Sequence, residues 1–147
     1  MNDLNSGDNK LRVGIAGYGV VGQRRRYIID LHPSLDVVAV SDINYQFDEV
    51  NNGIRHVSDY RELLSENIDV LFVCLPNYLA AEVTIAGLRH GCHVFCEKPP
   101  GRDLFDISRV MDIERENSGK KLQYGFNHRY HDSIRDALRI IRSGEMC

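Results

Sequence analysis

The chain has 147 residues, 43% hydrophobic and 27% charged, with a formal net charge of −3 when its histidines are neutral. That profile is expected of one soluble globular domain with a real core, and it gives no general electrostatic pull toward DNA, RNA or an anionic membrane, so any anion site must be local. Nucleic acid and membrane are therefore not expected partners. The opening MNDLNSGDNK is polar, without an apolar signal segment, and the longest apolar run, Val70 to Leu75, is far too short to span a bilayer. A cytoplasmic location is expected, with residues 1–10 as a flexible tail.

In chain order, Leu11 to Ala16 reads as a first strand and Val20 to Leu31 as a helix. Val37 to Ser41 is a second strand, and Ile54 to Val57 a weaker one. A short helix is expected over Tyr60 to Ser65 behind a capping Ser58 or Asp59, followed by a strand from Val70 to Leu75. A helix from Ala80 to Arg89 is ended by Gly91, and His93 to Glu97 is the next strand. Leu104 to Asn117 has a helical pattern, with Leu104, Ile107, Val110 and Met111 on one face. Leu122 to Phe126 is the last strand. The strands are short and apolar with little alternation, as expected when both faces of a sheet are covered. Repeated β-α-β units predict an α/β fold: a doubly wound, mostly parallel Rossmann sheet flanked by helices. Ligands of such a sheet lie beyond its C-terminal strand ends.

The stretch VGIAGYGVVGQRRRYII carries Gly17, Gly19 and Gly22 at G-x-G-x-x-G spacing, between a strand and a helix. In this setting the first glycine permits a tight turn, the second lets backbone approach a pyrophosphate, and the third lets helix and strand pack closely. Tyr18, Val20 and Val21 complete the turn. Free N–H groups at the helix N-terminus then face the anion. The second strand ends in Asp42, about 20 residues beyond the last glycine, where an acid accepts hydrogen bonds from the adenosine ribose.

A carboxylate there repels the 2′-phosphate of NADP, and neither Ile43 nor Asn44 supplies a cation to hold it. NAD is the expected cofactor, with NADP possible. Arg24, Arg25 and Arg26 lie in the first turns of a helix whose dipole disfavours cations. Either one of them braces a phosphate, or they are solvated or meet surface acids. Of the four cysteines, Cys92 and Cys96 sit in one expected strand, roughly 13 Å apart at ~3.3 Å per residue, so they cannot bridge each other or share a metal. Reduced core cysteines and no metal site are expected.

CEKPP, from Cys96 to Pro100, and GFNHRYH, from Gly125 to His131, close two later strands and should line the same crevice. Together with GIAGYGVVG, VSD at Val40 to Asp42, PNYLAAEVTIAGLRHGCHVFCEKP from Pro76, and GFNHRYHDSIRDALRIIRSGE from Gly125, the chain resembles the Gfo/Idh/MocA oxidoreductases. This family includes glucose-fructose oxidoreductase and inositol dehydrogenase. The resemblance implies that Glu97 and Lys98 sit beside the nicotinamide, Lys98 orienting the substrate hydroxyl or assisting proton transfer, with Pro99 shaping the turn. It also implies that Leu75, Pro76 and Asn77 run along the cofactor and that Arg129 matches the family's arginine after the last core strand. A lysine near a developing alkoxide suits that chemistry.

The chain departs from the family at Ala80, where a histidine is common, and it stops where relatives continue into an α/β substrate domain with a D-x-x-x-H segment. Residues 11–131 are accordingly expected to be the NAD(P)-binding domain and 132–147 a helix leading toward the absent domain. The implied activity is hydride transfer between nicotinamide and a sugar, cyclitol or nucleotide-sugar hydroxyl, in a homo-oligomeric full-length protein. The 147 residues alone are expected to be inactive. The alternative is a non-catalytic dinucleotide-binding or sensing module. His128 and His131 are candidates for general bases by residue type but are expected to be ordinary loop histidines.

Overall fold

The computed structural model describes residues 10–46 and 48–144. The segment expected to be a flexible tail therefore lies outside the described residues except for Lys10, and so do residues 145–147. Apolar strands pair in parallel around the first of them. β1 (Leu11–Ala16) lies between β2 (Leu35–Ser41) and β5 (Val70–Val73), and the seven-stranded order is β3-β4-β2-β1-β5-β6-β7. β4 is Ile54–Val57, β6 is His93–Cys96 and β7 is Leu122–Tyr124. All neighbours are parallel except β3 (Glu49–Asn51), which runs antiparallel to β4.

The alternation of side chains along β1 divides the core. Val13 and Ile15 pack with Ile29 of α1 (Val20–Asp30), Val37, Val40 and Ile54 on one face. The opposite face is covered by α2 (Tyr60–Leu64), α3 (Asn77–Arg89) and α4 (Leu104–Glu116), with Leu63, Val83, Leu88 and Val110 in one cluster around Leu71 and Val94. Gly14 belongs to that second face because there is no room for more. A Cβ on it would stand 2.7 Å from Leu63 and 2.8 Å from Ile68. With helices on both sides, the parallel strands need no polar face, which is why their sequences do not alternate.

The expected elements form, with shifts that have local causes. β3 was not expected. It is short and exposed, and it pairs through a turn in which Asn52 and Gly53 both have positive φ, 50° and 80°. α3 begins at Asn77 rather than Ala80, because the Pro76 carbonyl accepts from the N–H groups of Leu79 and Ala80. The face of α4 also differs from expectation. Val110 and Ile113 are buried and Ile107 is half-buried, but Leu104 and Met111 are exposed, and the third buried position is Asp106. These positions form an i, i+4, i+7 row against α3.

Asp103 caps α4 by accepting from the Asp106 N–H at 3.0 Å. The Asp106 carboxylate in turn accepts from the backbone and guanidinium N–H groups of Arg102, at 3.0, 2.9 and 3.1 Å. These bonds hold its carboxyl down to about 2, from an ordinary 3.8. A carboxylate with a depressed folded-state pKa stabilises the fold above its unfolded value, and that contribution is lost as pH falls through the folded one. Asp106→Asn is therefore expected to lower the thermal midpoint at pH 7 and to flatten its decline between pH 4 and 2. Parallel melting curves of the two proteins across that range would contradict the assignment.

Candidate functional site

The C-terminal ends of the parallel strands open on one edge of the sheet, and the residues singled out in the sequence converge there. The turn after β1 is the tightest point. Gly17 has φ +90°, and a Cβ on it would stand 2.5 Å from the Cys74 carbonyl oxygen; one on Gly22 would stand 2.1 Å from the carbonyl oxygen of Gly17. Gly19 differs from both. Nothing lies within 4 Å of where its Cβ would be, so its open side faces the crevice. The turn is held by Gly17 N–H donating to Ser41 at 2.9 Å, Cys74 N–H donating to Ala16 at 2.8 Å, and the Gln23 amide donating to the Tyr18 carbonyl at 3.2 Å.

Helix geometry leaves the N–H groups of Val20, Val21 and Gly22 without intrahelical partners, since the first bond of α1 runs from Gln23 N–H to Gly19. Val20 and Val21 are exposed beside them. Tyr18 turns the other way, its ring edge-on to His56 with centroids 6.1 Å apart, and Tyr45 packs on the same imidazole at 5.0 Å.

Asp42 follows β2 on the same edge. One carboxylate oxygen, Oδ1, accepts from the Asn44 backbone N–H at 3.0 Å and its side-chain amide at 2.7 Å, which leaves Oδ2 without a partner among the described residues. It borders a cavity of about 380 Å³ lined also by Ile43, Tyr60, Arg61, Leu75 and Leu79. Within it Arg61 is engaged by Asp59 and Glu82, at 3.2 and 2.9 Å. The Tyr60 hydroxyl donates to Glu82 at 2.6 Å, and burial followed by that bond pushes its pKa up to about 12. A larger groove, about 500 Å³, runs outside the crevice along Val20, Gln23, Arg24, Tyr27 and Ile28. It is open and brings together no pair of groups suited to chemistry.

Pro76 and Asn77 start α3 at the same edge, with Leu75 half-buried before them. Ala80, at the position of the family's common histidine, is 1% exposed and packed in the core. Lys98 is exposed, and the Lys98–Pro99 peptide is cis. Glu97 does not point into open crevice. Its carboxylate pairs with Arg25 of α1. That contact answers part of the arginine question, and Arg26 answers another by chelating Asp30 at 2.6 Å. Arg129 lies in an exposed 3-10 turn, Asn127–Tyr130, with no side-chain partner among the described residues. His128 and His131 stack on each other there at 4.7 Å, and both are exposed. Cys74, Cys92 and Cys96 are free thiols, and burial pushes the first two up to about 12 and about 11. No group of three metal-ligating side chains occurs among the described residues. Nor is any helix among them long and apolar enough to cross a membrane.

A strand, a glycine turn with an open N-terminal helix end, and an acid closing the next strand define a dinucleotide-binding α/β domain. Comparison with known proteins agrees. A family model described as "Oxidoreductase family, NAD-binding Rossmann fold" matches residues 11–126, and the chain belongs to that Gfo/Idh/MocA family as its NAD-binding domain. Inositol 2-dehydrogenase of Salmonella typhimurium is 31% identical over 143 residues, covering 92% of this chain and 43% of that protein. D-glucoside 3-dehydrogenase of Escherichia coli is 33% identical over 132 residues, covering 82% and 36%. Among solved structures, myo-inositol 2-dehydrogenase of Lactobacillus plantarum superposes with a TM-score of 0.80 at 28% identity, over 92% of this chain and 42% of that one. The chain thus spans less than half the length of these relatives.

The two helix-side glycines make opposite demands. Gly22→Ala should cost ~1–3 kcal/mol in chemical denaturation, because a methyl group there drives α1 off β1. Gly19→Ala should cost less than about 1 kcal/mol, as an uncrowded cap position. Equal losses would contradict the packing described.

Proposed function

We propose that the chain is the cofactor half of an NAD-dependent dehydrogenase acting on a secondary hydroxyl of a cyclitol or sugar. Residues 11–131 bind the dinucleotide, and α5 (Asp132–Ser143) leads toward a substrate domain. The observation that carries the reading is the placement of the open Gly19 turn, the half-free carboxylate of Asp42 and Lys98 on one edge of one sheet. The relatives' names, inositol 2-dehydrogenase and D-glucoside 3-dehydrogenase, support the substrate class.

The residues present fit the cofactor. The N–H groups of Val20, Val21 and Gly22 would donate to a pyrophosphate, with Gly17, Tyr18 and Gly22 shaping the turn, and Asp42 Oδ2 would accept from a ribose hydroxyl. NAD is favoured over NADP because Asp42 repels a 2′-phosphate and because the nearby cation, Arg61, is already held by two carboxylates. Leu75, Pro76 and Asn77 would run along the cofactor, with Arg129 on the same edge and Glu97 holding the turn beneath it through Arg25. When bound, the nicotinamide supplies the hydride acceptor or donor.

Lys98 is the catalytic residue of this chain. Its ammonium would hydrogen-bond the substrate oxygen, stabilise the negative charge left there when the hydroxyl proton departs and before hydride leaves the carbon, and hold the substrate carbon in position. The full protein works as a homo-oligomer.

In a polypeptide joining this chain to its substrate domain, Lys98→Ala should lower kcat for NAD-linked oxidation of myo-inositol or a glucoside by about 10²–10⁴-fold, with NAD affinity nearly unchanged. Turnover within a few-fold of the unaltered protein would remove Lys98 from the reaction.

A further inference from the structure

The dinucleotide site leaves one motif unexplained. Of the three arginines that follow the glycine turn, Arg26 is taken by Asp30 and Arg24 lines the outer groove. Arg25 does something different. Its Nε donates to Glu97 Oε1 at 2.6 Å, its Nη2 bonds the same oxygen, and Asn127 Oδ1 lies 3.4 Å from Nη2. The guanidinium carbon stands 5.0 Å above the Phe95 ring. The pair is largely withdrawn from water, with side chains 24% and 11% exposed.

The rest of Glu97 is equally fixed. Its N–H donates to Val73 at 2.9 Å, and its second oxygen lies so close to Gly125 that a Cβ there would stand 2.8 Å from it. Gly125 is tied back to Cys96 by a 2.9 Å bond. The other titratable groups facing this carboxylate are the thiols of Cys74 and Cys96, both pushed up by burial and so uncharged at neutral pH. Arg25 is the cation that answers Glu97. Lys98, the next residue, has no ion pair or hydrogen bond among the described residues.

A half-buried carboxylate deprived of its arginine would need another cation, and Lys98, the next residue in the chain, is one with no ion pair of its own among the described residues. We propose that Arg25 is a positioning residue for Lys98: by holding and neutralising Glu97, it clamps the E-K-P turn to α1 and keeps the Lys98 ammonium free of an intramolecular counter-ion. This rests on the assignment of Lys98 as the lysine of the site. The clamp also couples the two halves of the crevice, since α1 carries the pyrophosphate end and the E-K-P turn the reacting end.

The test is trace acetylation of the chain at one pH, with the extent at Lys98 measured by peptide mass spectrometry relative to Lys120 and Lys121. Arg25→Gln should slow labelling of Lys98 by about threefold, the scale of an exposed ion pair, as Glu97 transfers to it. Arg25→Lys should restore the original rate, and so should Glu97→Gln placed in the Arg25→Gln background. A merely structural role predicts no slowing, because Lys98 is already exposed and a loosened turn gives it no counter-ion. An unchanged or faster rate in Arg25→Gln overturns the proposal. If that variant does not fold, Arg25→Met, which keeps an apolar stem against Phe95, is compared with Arg25→Met/Glu97→Gln: a slower rate at Lys98 only when Glu97 is present supports the clamp, and equal rates overturn it. NADH titration of the unaltered chain separates the two levels. Failure to bind overturns the site assignment, whereas tight binding with labelling unaffected by Arg25 overturns the clamp alone.

Discussion

Everything at the crevice depends on how closely α1 approaches β1. The backbone of Gly22 lies against the carbonyl oxygen of Gly17, in a space that a single Cβ would fill at 2.1 Å, and Gly17 itself presses on the Cys74 carbonyl of the strand alongside. This contact fixes where the N-terminus of α1 ends. It sets free N–H groups above Gly19, at the centre of the sheet, where the neighbours of β1 on either side come from opposite directions of the winding. A helix displaced by even the diameter of a methyl group would aim its N-terminus elsewhere and would carry Arg25 away from Glu97.

The charges around that point are arranged to leave particular atoms unused. Asp42 spends one oxygen on Asn44 and keeps the other; Arg61 is spent on Asp59 and Glu82. Arg25 and Arg26, unfavourable beside a helix N-terminus, are neutralised by acids rather than left to repel one another. What remains is a carboxylate oxygen suited to ribose hydroxyls and an exposed lysine, in a domain whose net charge would not by itself draw an anion. The exposed apolar residues of α5, Ile134, Leu138 and Ile141, form a stripe of the kind that packs against another layer.

Much of this was legible in the sequence because it is local. Parallel strands covered on both faces leave unbroken apolar runs, and the glycine spacing, Asp42 and the E-K-P turn are each short-range patterns. The failures are of other kinds. β3 is three exposed residues at an edge, with a single valine between Glu49 and Asn51, and only Asn52-Gly53 signals its hairpin. The start of α3 depends on Pro76 acting as a cap without a side-chain acceptor. The buried face of α4 departs from the apolar pattern because Asp106, and not Leu104 or Met111, lies with Val110 and Ile113; its burial rests on Arg102 satisfying it, which no hydrophobic pattern records. The Arg25–Glu97 pair joins positions 72 residues apart, so no local pattern announces it and only the packing of α1 on the sheet brings the two together.

The central claim is that the Gly19 turn and Asp42 together hold the cofactor's phosphates and ribose, and calorimetric titration of this chain with NADH and with NADPH tests it most directly. The account predicts that NADH binds more tightly than NADPH, and that Asp42→Ala weakens NADH while bringing the two affinities together. Binding of neither nucleotide, or identical affinities before and after the substitution, would contradict it.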